Sequence, residues 1–212
     1  MASFWDRKEK PYIVLLFLLP LCWMLVSLFL GRYFPDPGKA LMNLSGIWAS
    51  VFIVAVLSLT PIAKMKTFRV ISRYRRFVGL AAFFYSLFHL LVYLVLFAGL
   101  SVSWILSDLV QKPYIYAGVT ATVILFLLAI TSTKKMMKRL GRKWKKLHQL
   151  VYLAAACVVA HLWLQVKSDI ELAVWVTVFI APLLLLRIYQ NPRYKKYFKK
   201  ISQNTCTKSV DP

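Results

Sequence analysis

Six long apolar runs, separated by short polar segments, divide the chain. They cover residues 11–30, 44–63, 77–98, 114–133, 149–166 and 170–189. Each run is close to the about 20 residues that a helix needs to cross the hydrocarbon core of a bilayer. A transmembrane barrel would need segments of about ten residues that alternate apolar and polar side chains, and runs such as VILFLLAI do not alternate. The pattern therefore predicts an all-α integral membrane protein with a bundle of six transmembrane helices.

The first run, 11–30, could also be interpreted as a signal peptide. It is long, it lacks a clear cleavage pattern of small residues, and it contains Pro20. Because a signal peptide has a short apolar core followed by such a cleavage site, we interpret the run as the first membrane helix.

The composition supports a membrane protein and excludes a soluble single domain. Hydrophobic residues make up 60% of the 212 residues and charged residues 17%, with a mean hydropathy of +0.64. An ordinary soluble domain is about 45–50% apolar and about 25% charged. The net charge of +21 would suggest nucleic acid in a soluble protein. Here the basic residues stand between apolar runs, so we expect lipid and no nucleic acid as their partner.

The basic residues also predict the orientation of the chain in the membrane. All but four of the 28 Lys and Arg residues fall in the N-terminus, the second-to-third connection, the fourth-to-fifth connection and the tail. The other side holds Arg32, Lys39, Lys112 and Lys167. Because cytoplasmic loops carry the excess of basic residues, both termini are predicted to be cytoplasmic. We accordingly divide the chain into a cytoplasmic N-terminus at 1–10, a transmembrane domain at 11–190 and a basic tail at 191–212.

Three histidines lie in or at the edge of apolar runs: His89, His148 and His161. Ionisable residues in membrane helices usually mark function, although a histidine bonded across two helices is the structural alternative. His89 lies twelve residues into the third helix and His161 thirteen residues beyond His148, which places them about 18 Å and about 20 Å from the cytoplasmic side. This matched depth predicts a bis-imidazole site. Haem iron suits it better than zinc, which takes four protein ligands or three plus water.

His148 has no histidine opposite it in the sequence. The position at the same depth on helix three, fourteen residues before His89, is Arg75, followed by Arg76. Arg75, with Arg76 beside it, could serve an inner haem as an unusual axial ligand or as the partner of a propionate. Alternatively, both arginines act only as signals for the orientation of the chain. His148 and His161 would lie about 140° apart on an ideal helix. We therefore expect a bend, a π-bulge or a frayed start in helix five.

Several strings resemble those of the YedZ/MsrQ family: DPGKALMNLSGIWA, LSLTPIAKM, RYRRFVGL, FFYSLFHLLVY, QKPYIYAG and LAITSTKKMMKRLGRKWKKLHQLVYLAAACVVAHLWL. The resemblance covers about residues 34–190. It implies a ferric-reductase-like membrane domain, in which larger relatives hold two haems between histidines of helices three and five. The chain matches that pattern at His89, His148 and His161 and departs from it at Arg75. We expect no flavin and nicotinamide domain, because the tail after Tyr189 is too short to fold one.

The resemblance also implies a function in a bacterial inner membrane. It implies a haem b electron-transfer subunit with one haem, or two, that is not itself the subunit reducing methionine sulfoxide. Electrons would come from the quinone pool or a cytosolic flavin reductase. They would pass to MsrP, a periplasmic molybdopterin enzyme that repairs oxidised envelope proteins.

FMN is a further cofactor that the resemblance implies, yet the sequence carries no glycine-rich phosphate loop. Trp144, four residues before His148, could contact a cofactor or belong to an interfacial aromatic belt. Five cations could bind a phosphate or act only as topology signals, namely Arg69, Arg73, Arg76, Arg139 and Lys143.

Two other function classes compete with an electron-transfer subunit. A ferric reductase or superoxide-producing oxidase could use the same scaffold with a separately supplied reductase. A proton-relaying transporter could use the histidines, but no carboxylate lies in the interior of an apolar run and no inverted repeat is evident. The sequence therefore favours electron transfer.

Overall fold

The computed structural model describes residues 10–63, 74–166 and 170–189, and their regular structure is entirely helical. A π-helical turn, Tyr93–Phe97, directly extends α3. The α-helices are α1 Lys10–Phe29, α2 Pro37–Ile62, α3 Arg75–Val92, α4 Val102–Gln111, α5 Tyr114–Ile130, α6 Lys134–Leu140, α7 Arg142–Leu147, α8 Leu150–Gln165 and α9 Glu171–Tyr189. The predicted all-α class is confirmed. The basic tail, most of the N-terminal segment, and Arg69 and Arg73 lie outside the described residues.

Three stretches are long and apolar enough to cross a membrane: Pro37–Ile62, Arg75–Phe97 and Arg142–Gln165. Helices α4 and α5 together make a fourth candidate, bent by 111° between them, and Val14–Phe29 is a shorter apolar helix. The chain is thus a multi-pass helical membrane protein. Six spans and two cytoplasmic termini stay predictions.

Helix α2 begins seven residues before the apolar run that predicted it. The Asp36 side chain accepts a hydrogen bond from the Lys39 backbone N–H at 2.9 Å, and Pro37 occupies the first turn. An aspartate cap followed by proline is a strong start signal, because both suit the unpaired amides of the first turn. The apolar pattern did not predict residues 37–43 as helical, because this segment precedes the apolar run at 44–63.

Two connections that the apolar pattern left without structure contain helices. Helix α4 lies in the connection between the third and fourth apolar runs and exposes Val102, Leu106 and Val110 at four-residue spacing. An apolar stripe at this spacing is typical of a helix lying in the membrane interface. Helices α6 and α7 form the basic connection and meet at Gly141, whose φ of +49° suits glycine.

The core forms where α2 packs on α3 and α5 packs on α8, with α9 against α2 and α8. Its most buried side chains include Ile53, Ala82, Ala154 and Ile180, each at most 1% exposed. Small residues let membrane helices approach closely, and dispersion and polar contacts between the helices then stabilise the pair. The paired helices α2–α3 and α5–α8 therefore form two tight halves of the bundle.

The Tyr85 hydroxyl of α3 joins α1 to this core. It accepts a hydrogen bond from the Leu21 N–H at 3.0 Å and donates one to the Phe17 carbonyl at 2.9 Å. In an uninterrupted α-helix these two backbone groups bond each other. The hydroxyl thus inserts into the backbone ladder next to Pro20, which itself lacks an amide hydrogen.

We expect Tyr85→Phe to lower the free energy of unfolding by about 1–3 kcal/mol, because it leaves a partly buried backbone donor and acceptor without the bridging hydroxyl. Thermal unfolding in detergent micelles, followed by circular dichroism, measures this change. Tyr116→Phe is the matched control, since Tyr116 is 53% exposed. Equal losses in the two variants would contradict the bridging role.

Candidate metal centre

His89 of α3 and His161 of α8 lie side by side between the two halves of the bundle. Their ring centroids are 6.3 Å apart and the ring planes cross at 88°. The matched depth in the sequence had predicted this proximity. Each ring is also bonded to the helix that packs beside its own, His89 to α2 and His161 to α5.

The His89 ring is fixed by two polar contacts from α2. Its Nδ1 lies 3.0 Å from the Met42 carbonyl oxygen and 3.1 Å from Ser45 Oγ. The Ser45 hydroxyl itself donates to the Met42 carbonyl at 3.0 Å. A carbonyl can only accept, so the contact with Met42 places the ring hydrogen on Nδ1. The lone pair is then on Nε2.

The His161 ring has a matching contact from α5. Its Nδ1 lies 2.7 Å from the Tyr114 carbonyl oxygen. The Tyr114 ring adds an edge contact, with its centroid 5.7 Å from that of His161. The same donor-to-carbonyl argument leaves the Nε2 lone pair of His161 as the available ligand atom.

This geometry fits a metal held by two axial imidazoles. Metal-binding histidines usually donate their other ring N–H to a carbonyl or carboxylate, which fixes the tautomer. Two ring nitrogens that bound opposite sides of one metal at about 2.0–2.1 Å would place the ring centres about 6–6.5 Å apart. The described residues contain no group of three or more His, Cys, Asp or Glu that could hold a metal ion. The pair therefore suits haem iron, which brings its equatorial nitrogens with it, and does not suit tetrahedral zinc.

His148 lies in a different setting, at the turn that separates α7 from α8. Its ring stacks on Trp144, with centroids 4.0 Å apart and planes at 30°. Its Nδ1 lies 3.2 Å from the Trp144 carbonyl oxygen and its Nε2 3.4 Å from Ser132 Oγ. Trp144 Nε1 donates to the Thr131 carbonyl at 3.0 Å, which ties this turn to the end of α5.

The interruption at His148 and Gln149 is the irregularity that the spacing of the histidines predicted. The Gln149 N–H bonds the Lys146 carbonyl at 3.1 Å, a tightened three-residue turn, before α8 begins at Leu150. The helix is thus broken between His148 and His161, close to His148.

The two arginines predicted to serve an inner haem, Arg75 and Arg76, are the first two residues of α3. Arg75 is exposed at the start of α3, near enough for its charge to act on the His148 ring. Arg76 is half-buried, while Arg139 and Lys143 are exposed on α6 and α7. Among the described residues, no second histidine is brought to His148.

Asp108 has a structural contact that the sequence did not predict. Tyr93, the first residue of the π turn, donates its hydroxyl to Asp108 Oδ2 at 2.9 Å, and Lys112 Nζ lies 2.7 Å from Asp108 Oδ1. The carboxylate joins α4 to the π turn, one helical turn beyond His89.

The residues that support the two rings were missed by sequence reasoning. Two of them, Met42 and Tyr114, act through backbone carbonyls, which no side-chain motif reveals. Ser45 gives no signal by itself, since serine in a membrane helix commonly bonds a carbonyl of its own helix. Only the pairing of helices identifies these groups.

Comparison with known proteins places this geometry in a family. The family model described as ferric reductase like transmembrane component matches residues 40–159, a range that contains His89 and His148. A relative from Brucella ovis is 38% identical over 169 residues, covering 80% of this chain and 76% of its own length. It is named protein-methionine-sulfoxide reductase heme-binding subunit MsrQ.

Further relatives carry the same name. One from Brucella abortus (strain 2308) is 38% identical and one from Brucella melitensis biotype 2 is 37% identical, both over 169 residues that cover 80% of this chain and 76% of theirs. The chain belongs to the ferric reductase-like transmembrane family and, within it, to the MsrQ family of heme-binding subunits.

Proposed function

We propose that the chain is a haem b electron-transfer subunit in which His89 and His161 would hold the iron of one haem. The separation of 6.3 Å between their ring centroids carries the proposal. The Nδ1 contacts with the Met42 and Tyr114 carbonyls support it, because they leave both Nε2 atoms to the metal. When bound, haem iron supplies one-electron transfer.

The chain's own residues hold the two rings ready for this role. The carbonyls of Met42 and Tyr114 fix the Nδ1–H tautomers and so prevent either ring from turning its donor toward the metal. Neutral imidazole is the form that binds metal, and both rings are half-buried among apolar helices. A site held in place in this way needs little rearrangement during electron transfer.

We propose one haem rather than two. His148 stacks on Trp144 and directs Nε2 toward Ser132, and Arg75 beside it is not an imidazole. His148, with Arg75, Arg76 and Trp144, then forms the cytoplasmic entry side of the path. FMN is proposed here on the family resemblance, with the cations of α6 and α7 as its phosphate partners.

The partners follow from the family and from the predicted orientation. The relatives are named as subunits of a protein-methionine-sulfoxide reductase. With both termini cytoplasmic, the His89–His161 pair lies in the outer half of the membrane. We propose that electrons enter from quinol or a cytosolic flavin reductase and leave to a periplasmic molybdopterin subunit, MsrP, in a bacterial inner membrane.

A second candidate acceptor of the electrons is ferric iron or dioxygen, because the matching family is described as ferric reductase like. The two acceptors are distinguished by supplying a reductant and measuring either methionine sulfoxide reduction with the molybdopterin subunit or iron reduction and superoxide without it.

We expect about one haem per purified chain and a low-spin b-type difference spectrum between the dithionite-reduced and the air-oxidised protein. His89→Ala and His161→Ala should each lose most of the bound haem, because one imidazole cannot complete the axial pair. The pyridine haemochrome assay measures the haem content. Unchanged haem in both variants would refute the assigned ligands.

His148→Ala is the matched control for this experiment and tests the number of haems. We expect its haem content to equal that of the unmodified chain, because no other histidine is brought to His148 among the described residues. A ratio near two that falls to one in His148→Ala would establish an inner haem and contradict the single-haem proposal.

We expect His161→Ala to abolish quinol-driven reduction of methionine sulfoxide in liposomes that contain this chain and the molybdopterin subunit. The same reaction driven by dithionite, added directly to the molybdopterin subunit, should be unaffected, because it does not use the membrane path. Equal quinol-driven rates with and without His161 would contradict the proposal that electrons pass through this histidine pair.

A further inference from the structure

Each histidine ring contacts a short segment of the neighbouring helix, which we call its support. The two supports present the same arrangement of groups. On α2, the Met42 carbonyl bonds the His89 ring and Gly46 follows four residues later. On α5, the Tyr114 carbonyl bonds the His161 ring and Gly118 follows four residues later. Residues four apart lie on one face of a helix. Each support therefore presents a carbonyl and a glycine to the same ring.

Both glycines lie directly against the imidazoles. A Cβ at Gly46 would be 3.1 Å from His89 Cε1 and 3.2 Å from its Nδ1. A Cβ at Gly118 would be 2.8 Å from His161 Nδ1 and 3.0 Å from its Cε1. All four distances are shorter than ordinary van der Waals contact. A side chain at position 118 would displace the His161 ring, and one at position 46 would require the His89 ring to give way slightly.

The two supports also share a hydroxyl-bearing residue, four positions after the glycine. Ser50 Oγ donates to the Gly46 carbonyl at 2.9 Å, and Thr122 Oγ1 donates to the Gly118 carbonyl at 3.0 Å. Ser86 Oγ of α3 contacts Thr122 Oγ1 at 2.7 Å. A hydroxyl that bonds the carbonyl four residues earlier can bend a helix slightly. The two supports thus share a carbonyl, a glycine and a hydroxyl at positions i, i+4 and i+8.

We propose that Gly46 and Gly118 are positioning residues for the two imidazoles, and that together with the Met42 and Tyr114 carbonyls they set the nearly perpendicular ring planes. This proposal rests on the proposed haem ligation. The carbonyl fixes one ring nitrogen and the glycine lies against the ring's edge, so the orientation of the ring plane is held by both contacts. Ring orientation and the strength of the Nδ1 hydrogen bond are properties by which a protein tunes a metal.

The contacts predict a graded response to Gly→Ala substitution. Gly118→Ala should lower haem affinity by about 10–100-fold, the range for changes to groups that orient a metal ligand. Gly46→Ala should have a smaller effect, because its contacts are longer. Gly79→Ala on α3 is the matched control, since the nearest atom to its added Cβ is Val56 Cγ2 at 3.7 Å.

Haem titration of the apo-protein, the reduction potential and the ferric electron paramagnetic resonance spectrum are the three measurements. Perpendicular axial imidazoles give a low-spin ferric signal dominated by one large g value, and rotation of one ring toward the other gives a rhombic spectrum. We expect the unmodified chain and Gly79→Ala to give the first signal. Gly118→Ala should shift toward the second and change its potential. A merely structural defect would lower haem occupancy without changing the signal of the haem that remains.

Folding is checked on the apo-proteins by circular dichroism and size-exclusion chromatography. Alanine favours helix over glycine, so the variants should stay helical. If Gly118→Ala alone fails to fold, Gly46→Ala carries the test, and failure of both would overturn the proposal in favour of a helix-packing role.

The remaining outcomes separate this inference from the proposed function. A haem-binding chain whose Gly118→Ala variant matches Gly79→Ala in affinity, potential and spectrum would overturn the positioning role while leaving haem binding intact. An unmodified chain that binds no haem would overturn the proposed function and this inference with it.

Discussion

The site depends on one constraint, that a polar imidazole nitrogen in a membrane must find a partner inside the protein. An unsatisfied polar group in hydrocarbon costs several kcal/mol. The Nδ1 atoms of His89 and His161 meet this requirement with carbonyl oxygens of neighbouring helices. Each of these carbonyls belongs to a different helix from the ring that it bonds. The ring nitrogens can therefore be satisfied only where two helices pack closely. The close pairs α2–α3 and α5–α8 are therefore a condition for the site as well as for the core.

The same constraint explains the polar contacts elsewhere in the bundle. The Tyr85 hydroxyl satisfies the Leu21 N–H and the Phe17 carbonyl next to Pro20, where the α1 ladder is open. Asp108 of α4 satisfies the Tyr93 hydroxyl of the π turn that extends α3. The Tyr85 and Asp108 contacts each join one helix to another, so the few polar groups of an apolar chain fix how its helices are arranged.

Glycine makes the histidine contacts compatible with helical geometry. A ring that bonds a carbonyl of the next helix must lie almost on that helix's surface, and a side chain one turn further on would collide with it. Gly46 and Gly118 remove that collision. The two halves of the bundle thus share the same spacing of carbonyl and glycine within different sequences, MNLSGIWAS and YIYAGVTAT.

The sequence by itself determined the helical membrane class, the approximate position of the long helices and the nearness of His89 to His161. These follow from the apolar run lengths and from the fixed rise per residue of a helix. It also determined the break near His148, because the angle per residue is equally fixed. Only the tertiary structure decided which carbonyls and glycines receive the rings, that His148 stacks on Trp144, and that Asp108 bonds Tyr93. Those contacts depend on which helices pack together and on their rotation, and backbone carbonyls and glycines leave no trace of such contacts in a hydropathy pattern.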